Sequence, residues 1–307
     1  MIVYEADKKQ FLSDAFDREI EEVILDQFIR KTGHRVGGAE IASWKASLRS
    51  FAAVLYDADI PDDVGVAVEL HIPQSAKRID VVISGIGPDG AKGTVIVELK
   101  QWEQVEATGK DAIVLTSLAG GRREAVHPSY QAWSYASLLH DFNEAVYEGR
   151  IGVAPCAYLH NYRRDGIIDA PQYRPYTEKA PLFLKGEAER TALRSFIKSH
   201  MHRGDRGAAL HEMAGGRIRP SKALADSLGA MLRGNPAFVL IDEQKEIYEA
   251  ALTAARSATA EHPQVLIVEG GPGTGKTVLA INLFGRTDPG APERPLRVQE
   301  RCAAQGL

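Results

Sequence analysis

Asp80 and Glu98 stand nine positions before and nine positions after Asp89, the middle of the turn-forming run Pro88-Asp89-Gly90. If Ile79 to Ile83 and Thr94 to Leu99 are the arms of a hairpin turning there, the two carboxylates face each other across the strands. Opposed Cβ atoms lie ~4.5–5.5 Å apart, and like charges that close destabilise a sheet unless a cation sits between them. Magnesium, or manganese in its place, would resolve the conflict, because both accept hard oxygen ligands. Two residues beyond Glu98, Lys100 projects from the same strand face and sets an ammonium beside a metal-bound water or a cleaved phosphate. The chemistry this equips is metal-dependent phosphodiester cleavage. A charged strand face screened by water is the plainer reading of the same residues, and a loop asymmetric by one residue would break the pairing.

A second constellation is Gly270-Gly271-Pro272-Gly273-Thr274-Gly275-Lys276-Thr277, which fits the pattern G-x-x-x-x-G-K-[ST]. Glycines let backbone N–H groups wrap a polyphosphate, Lys276 neutralises it and the Thr277 hydroxyl meets magnesium. Val265 to Val268 supplies the preceding buried strand, and Val278 to Phe284 the helix whose positive end faces the phosphates. ATP binding is expected. Hydrolysis needs in addition a magnesium-positioning acid on a later strand, and no apolar strand ending in Asp follows Thr277. Turnover is therefore expected to be weak or absent.

The elements that must position these groups follow from periodicity. Helical spacing marks Asp17 to Phe28 and, more strongly, Glu40 to Tyr56, where Ile41, Trp44, Leu48, Phe51 and Leu55 recur. Val64, Val66 and Val68 alternate with Gly65, Ala67 and Glu69, a third strand beside the two hairpin arms. Pro128 opens a helix over Ser129 to Leu139, and Gly152 to Leu159 reads as a further strand. Ala237 to Ile241 and Val265 to Val268 read as strands flanking a helix from Glu243 to Arg256. Domain limits of 1–185, 186–235 and 236–284 are expected, with an irregular tail over 285–307.

Composition narrows the class. With 44% hydrophobic and 25% charged residues among 307, the chain is neither disordered nor fibrous, and it has room for about two domains. Its net charge of -4 announces no nucleic acid globally, so any such partner must meet a local patch. Residues 185–233 hold ten basic and five acidic residues. A phosphate-facing connector is one reading of that stretch, and a solvated helical linker, favoured by the lack of interleaved aromatics, is the other. Cys156 and Cys302 are too far apart for a C-x-x-C zinc or redox motif. Without a long apolar run or a leader-like start, a cytoplasmic protein with no membrane partner is expected. His200, His202 and His211 lack companions for zinc, Ser117 and Ser129 lack a nucleophile context, and His127 reads as a loop histidine.

Arg78-Ile79-Asp80 followed by Val97-Glu98-Leu99-Lys100 resembles the signature of the PD-(D/E)XK nuclease superfamily. The resemblance implies an α/β, restriction-endonuclease-like domain, a mixed sheet flanked by helices, whose core begins with a helix carrying a glutamate. Glu40 is the match for that glutamate, with Glu21 and Glu22 as weaker matches. Gln131 and Tyr135 resemble the Q-x-x-x-Y motif of some branches, on one helix face by their spacing; core packing is the plainer role for Tyr135. On this resemblance Asp80, Glu98 and the Leu99 carbonyl hold magnesium, Lys100 assists the attacking water, Glu40 orients it or binds a second ion, and Gln131 and Tyr135 support the site. Gln244 resembles the adenine-reading glutamine of superfamily 1 helicases, an exposed glutamine at a helix start being the alternative.

The order of nuclease-like domain, basic helical linker and partial RecA-like P-loop unit, with the strings Glu-Leu-Lys-Gln-Trp and Gly-Pro-Gly-Thr-Gly-Lys-Thr, is similar to the N-terminal part of the Schlafen group-3-like DNA/RNA helicase family. The similarity covers about residues 20 to 285. In that family the NTPase domain continues through further strands, whereas 285–307 match none of them, so a frameshifted or truncated gene product is expected. The function expected is metal-dependent cleavage of nucleic acid, DNA in preference to RNA, joined to an ATP-binding segment. A noncatalytic nucleic-acid-binding module of a helicase or translocase is the alternative, and a small-molecule NTPase a third.

Overall fold

In the computed structural model the described residues are 1–72, 75, 77–118, 120–218, 239–259, 261–271 and 274–284. The chain divides into two compact units, Met1–Ser221 and Lys222–Leu307. In the first, β1 (Ile2–Asp7) leads into α1 (Lys8–Asp17), α2 (Ile20–Thr32) and α3 (Gly38–Leu55), followed by β2 (Gly65–His71), β3 (Arg78–Ile86) and β4 (Lys92–Lys100). Three short strands, β5 (Val105–Ala107), β6 (Ile113–Leu118) and β7 (Gly121–Val126), precede α4 (Pro128–Phe142), α5 (Glu144–Tyr147) and β8 (Ile151–Leu159). Then come α6 (Arg174–Thr177), β9 (Leu182–Phe183), α7 (Glu187–His200) and α8 (Ala208–Gly215).

The main sheet is mixed and six-stranded, in the order β1-β2-β3-β4-β8-β9. Its first three junctions are antiparallel and its last two parallel. Parallel neighbours cannot be joined by a hairpin, so between β4 and β8 the chain crosses over through α4. Strand alternation sends Val81, Ile83, Val95, Val97 and Leu99 into one core with Phe28, Trp44, Leu48 and Phe51 of α2 and α3. Each such side chain gains about 1.5–3 kcal/mol on burial, and a slip by one residue would turn Asp80 and Ser84 of β3, or Thr94 and Glu98 of β4, into that core in its place. The hairpin register, Val81 opposite Val97 through Ile86 opposite Lys92, is the one a turn centred on Asp89 requires. Asp89 itself accepts the Ala91 N–H at 3.0 Å, and Gly90 takes the left-handed turn position at φ 81°.

Two parts of this unit lack a periodic signal in the sequence. β1 and α1 occupy a stretch whose apolar residues are interrupted by the charged run Glu5 to Lys9; the strand pairs only at the sheet edge, and α1 starts where the Asp7 carboxylate accepts the Gln10 N–H at 2.8 Å, a cap worth about 1 kcal/mol. β5, β6 and β7 form a separate three-stranded sheet in what reads as a loop around Gly120 and Gly121. Only its root is buried, so its charged outer half carries no apolar alternation.

The basic stretch expected as a connector packs on the first unit, whose boundary falls at Ser221, not near Lys185. Leu193, Ile197 and Met201 join the main core. Two of its cations, Arg194 and Lys198, find partners in that unit. Arg194 donates to the Ala53 and Val54 carbonyls at 2.8 and 3.0 Å, acceptors that the last turn of α3 leaves without helical partners. Lys198 pairs with Asp59 at 3.1 Å, and Glu212 takes Lys92 and Arg150 at 2.7 and 2.6 Å.

In the second unit the described residues hold α9 (Glu243–Ser257) and α10 (Lys276–Phe284), packed through Leu240, Ala251, Leu252, Leu279 and Leu283. The strands expected at 237–241 and 265–268 are corrected: residues 239–241 and 265–268 are not in strand, and Val265 and Ile267 are 84% and 78% exposed. An isolated strand leaves its backbone donors and acceptors unpaired, and no other described segment of this unit lies alongside to receive them. Residues 237 and 238, Pro272, Gly273 and the tail at 285–307 lie outside the described residues. No helix among the described residues is long and apolar enough to cross a membrane.

His127 stands where β7 gives way to α4 and is fully buried. Its Nδ1 accepts the Ser129 N–H at 3.2 Å and caps the helix, its Nε2 donates to the Ile168 carbonyl at 2.8 Å, and its ring stacks on Tyr173. Burial lowers its pKa to about 4. A depressed histidine stabilises the fold above its unfolded value near 6.5 and loses that contribution as pH falls towards 4. Urea unfolding should show a loss of about 2 kcal/mol between pH 7 and pH 5 from this residue, absent in His127→Asn, whose amide keeps a capping acceptor.

Candidate functional site

Continuing the register past Val81 and Val97 places Asp80 opposite Glu98, on the sheet face away from the α2 and α3 core. Asp80 accepts the Leu99 N–H at 2.8 Å, and Lys100 Nζ donates to Glu98 Oε1 at 2.8 Å. Glu98 is buried and Asp80 half-buried. Lost hydration raises the Asp80 carboxyl above its ordinary range, against the pull of the Lys100 ammonium, the Leu99 amide, a hydrogen bond with Glu98, and Arg78. Two carboxylates, a lysine amine and a backbone amide therefore converge at one end of the sheet.

Glu40 reaches this end through Arg78, whose guanidinium lies 2.7 Å from Glu40 and 3.1 Å from Glu69. Glu69 is the residue the sequence reading passes over. It belongs to the same cross-strand row as Asp80, since Val68 and Leu70 oppose Val81 and Ile79. Its backbone sits at φ 56°, which costs a side-chain-bearing residue about 1–3 kcal/mol. Its carboxylate accepts from Trp44 Nε1 at 2.7 Å. Burial first, and the neighbouring Asp80 charge second, push Glu69 up to about 7. Its signal in the sequence was being the one charged residue between Val64 and Leu70.

Gln131 and Tyr135 share one face of α4, where the Gln131 amide donates to the Tyr135 hydroxyl at 2.9 Å. Tyr135 is 2% exposed and so also a core residue, while Gln131 stays half-buried. The helix packs against β4 and β8. On the other side, Gln101 at the end of β4 donates to Ser43 Oγ and Ser47 Oγ of α3 at 2.9 and 3.1 Å, and His160 after β8 lies between Ser47 and Ser50 at 3.2 and 3.3 Å. These contacts tie the end of β4 to the helix carrying Glu40, and only tertiary structure brings them together.

The donor set left for a cation is Asp80, Glu98 and the Leu99 carbonyl. Among the described residues no three His, Cys, Asp or Glu side chains form a group that could hold a metal ion; Arg78 and Trp44 take Glu69 out of such a group. Two carboxylates and a carbonyl still suit magnesium, which keeps several waters, and the hydration cost at Asp80 is what a cation would relieve.

In the second unit the described residues of the glycine-rich run bond to one another. Lys276 Nζ donates to the Gly270 and Gly271 carbonyls at 2.7 and 2.8 Å, and the Thr274 hydroxyl to Gly271 at 2.9 Å. Gln244 is tied to the loop: its Nε2 donates to the Thr274 carbonyl at 3.1 Å and its Oε1 accepts the Ile241 N–H at 3.2 Å. Gly275 sits at φ 83°, and a Cβ there would collide with the Gln244 amide. Thr277 lies in the first turn of α10, at the positive end of the helix dipole.

The Glu69 carboxyl, raised from 4.5 to about 7, stabilises the fold in its neutral form below pH 4.5 and loses that contribution as pH rises through 7. Chemical unfolding of Glu69→Gln across pH 5 to 8 should lack this decline, gaining up to about 3 kcal/mol on the starting protein at the alkaline end. Comparison with protein-family models, with curated proteins and with solved structures gave no match to this chain.

Proposed function

We propose that the first unit is a metal-dependent nuclease of the PD-(D/E)XK type and that the second binds ATP through Gly270 to Thr277, in the arrangement of the Schlafen group-3-like helicases. One observation carries the first part: the register that sets Asp80 against Glu98 also sets the Lys100 amine 2.8 Å from Glu98. A bound magnesium or manganese ion would polarise the phosphate and acidify a water. The chain's own residues then have distinct tasks. Asp80 and Glu98 hold the charge balance that admits a cation, and the Leu99 amide fixes the Asp80 rotamer. Lys100 offers an ammonium to the attacking water or the phosphate oxygen. Arg78 restrains Glu40 beside the site, and Gln131 with Tyr135 braces the face of α4 that covers it. The packing of all these groups around one mixed sheet supports a restriction-endonuclease-like reading.

The loop supports ATP binding because its lysine is already gathered against the glycines. A phosphate would displace two neutral carbonyls from Lys276 with a charge-assisted contact about twice as strong. Gln244 serves as a loop brace, and base reading would require it to leave Thr274.

A second reading, a noncatalytic nucleic-acid-binding module, is favoured by Arg78 holding both Glu40 and Glu69. The two readings separate in one assay. Cleavage of nucleic acid in magnesium or manganese, abolished by chelator and reduced at least about 100-fold by Asp80→Ala or Lys100→Ala, is expected for the nuclease; no cleavage by the starting protein leaves the binding module. For the loop, Lys276→Ala should weaken ATP binding by about 10-fold or more in calorimetry, the scale of one charge-assisted contact, and unchanged heat would remove the nucleotide assignment.

A further inference from the structure

The sheet formed by β5, β6 and β7 has no task in the reading above, and its two ends differ. At the root, Val105 and Val114 are buried with Trp102, Leu159 and Tyr162 in a second core. Trp102 is also the ring that Lys100 Nζ faces, 5.7 Å from its centroid. The arm is thus founded on a residue touching the candidate catalytic lysine. At the far end Ser117, Leu118, Gly120, Gly121, Arg122 and Arg123 are exposed. Leu118 pairs with Gly121, and Gly120 and Gly121 take φ 101° and 127°, a tight tip built on glycine. β5 pairs with β6 only as far as Thr116, so from Thr116 to Leu118 the arm is a two-stranded ribbon that advances about 7 Å, at ~3.3 Å per residue.

Charge distinguishes this tip from the rest of an acidic chain. Residues 117–123 include two arginines and no acid. Being adjacent in a strand, Arg122 and Arg123 leave opposite faces of the ribbon. Arg122 pairs with Glu106, both more than half exposed. Such a pair is worth less than about 1 kcal/mol, so a phosphate can take its place.

We propose that the β6–β7 arm enters the major groove of duplex DNA, with Arg122 and Arg123 on its two faces meeting the phosphates of the two walls. The proposal rests on the nucleic-acid-cleaving reading and names its substrate as double-stranded DNA. A two-stranded ribbon fits the B-form major groove, about 12 Å wide, and the exposed Leu118 at the tip offers an apolar contact to thymine methyls. The deep, narrow major groove of A-form RNA excludes such a ribbon, and a single strand has no groove to fill.

The test uses the full chain carrying Asp80→Ala, so that bound DNA stays intact, and reads fluorescence anisotropy with a short labelled DNA duplex, an RNA duplex and a single strand over a salt series. Duplex DNA should bind most tightly. Adding Arg122→Ser and Arg123→Ser should weaken it about 10-fold or more and reduce the salt slope by about 2, near 0.9 for each lost phosphate contact. Arg122→Lys with Arg123→Lys should retain most of the affinity, which a misfolded arm could not do. Preference for RNA or single strands, an unchanged slope in the serine variant, or no binding to duplex DNA overturns the proposal. Cleavage by the protein with Asp80 intact is scored separately, so a failed arm and a failed nuclease reading give different results.

Discussion

The register of one hairpin governs everything at the candidate site. Burial of Val81, Ile83, Val95, Val97 and Leu99 against α2 and α3 leaves β3 and β4 a single acceptable alignment, and that alignment forces Asp80 against Glu98 on the opposite face. The hydrophobic gain is spread over many side chains at about 1.5–3 kcal/mol each, enough to hold the two acids together on one face. Lost hydration raises the Asp80 carboxyl, and Lys100, the Leu99 amide, a hydrogen bond with Glu98 and Arg78 offset part of that cost.

Around that conflict the unit is stiff. Gln101, Ser43, Ser47 and His160 lock the ends of β4 and β8 to α3, and Arg78 links the same helix to β2 through Glu40 and Glu69. Arg194 and Lys198 of α7 and Glu212 of α8 belong to this scaffold. Arg194 closes the carboxyl end of α3, and Glu212 gathers Lys92 and Arg150. The positive charge of Arg194 and Lys198 is answered by carbonyls and carboxylates of the same unit. Arg122 and Arg123 of the β6–β7 tip stand outward, away from any core.

The second unit shows a different economy. In its glycine-rich run Lys276 sits on the glycine carbonyls and Gln244 on Thr274. Residues 265–267 before it are exposed and not in strand, because a strand is stabilised by its neighbours and a glycine turn is stabilised largely within itself.

By itself the sequence determined the local and the repetitive: the helices at Ile20–Thr32, Gly38–Leu55 and Pro128–Phe142, the strands of the main sheet from β2 to β8, and the hairpin pairing, since turn chemistry and alternation act over a few residues. The glycine-rich loop was legible for the same reason. Tertiary structure alone decided the rest. The edge strand β1 buries the consecutive residues Ile2, Val3 and Tyr4 and so shows no alternation, and the outward sheet β5–β7 has too little buried surface to impose one. Glu69 joins the site through a left-handed backbone and a partner in α3 that no spacing announces. The run of basic residues looked like a linker because charge is visible in a sequence, whereas the carbonyls and carboxylates that absorb it come from segments more than a hundred positions away.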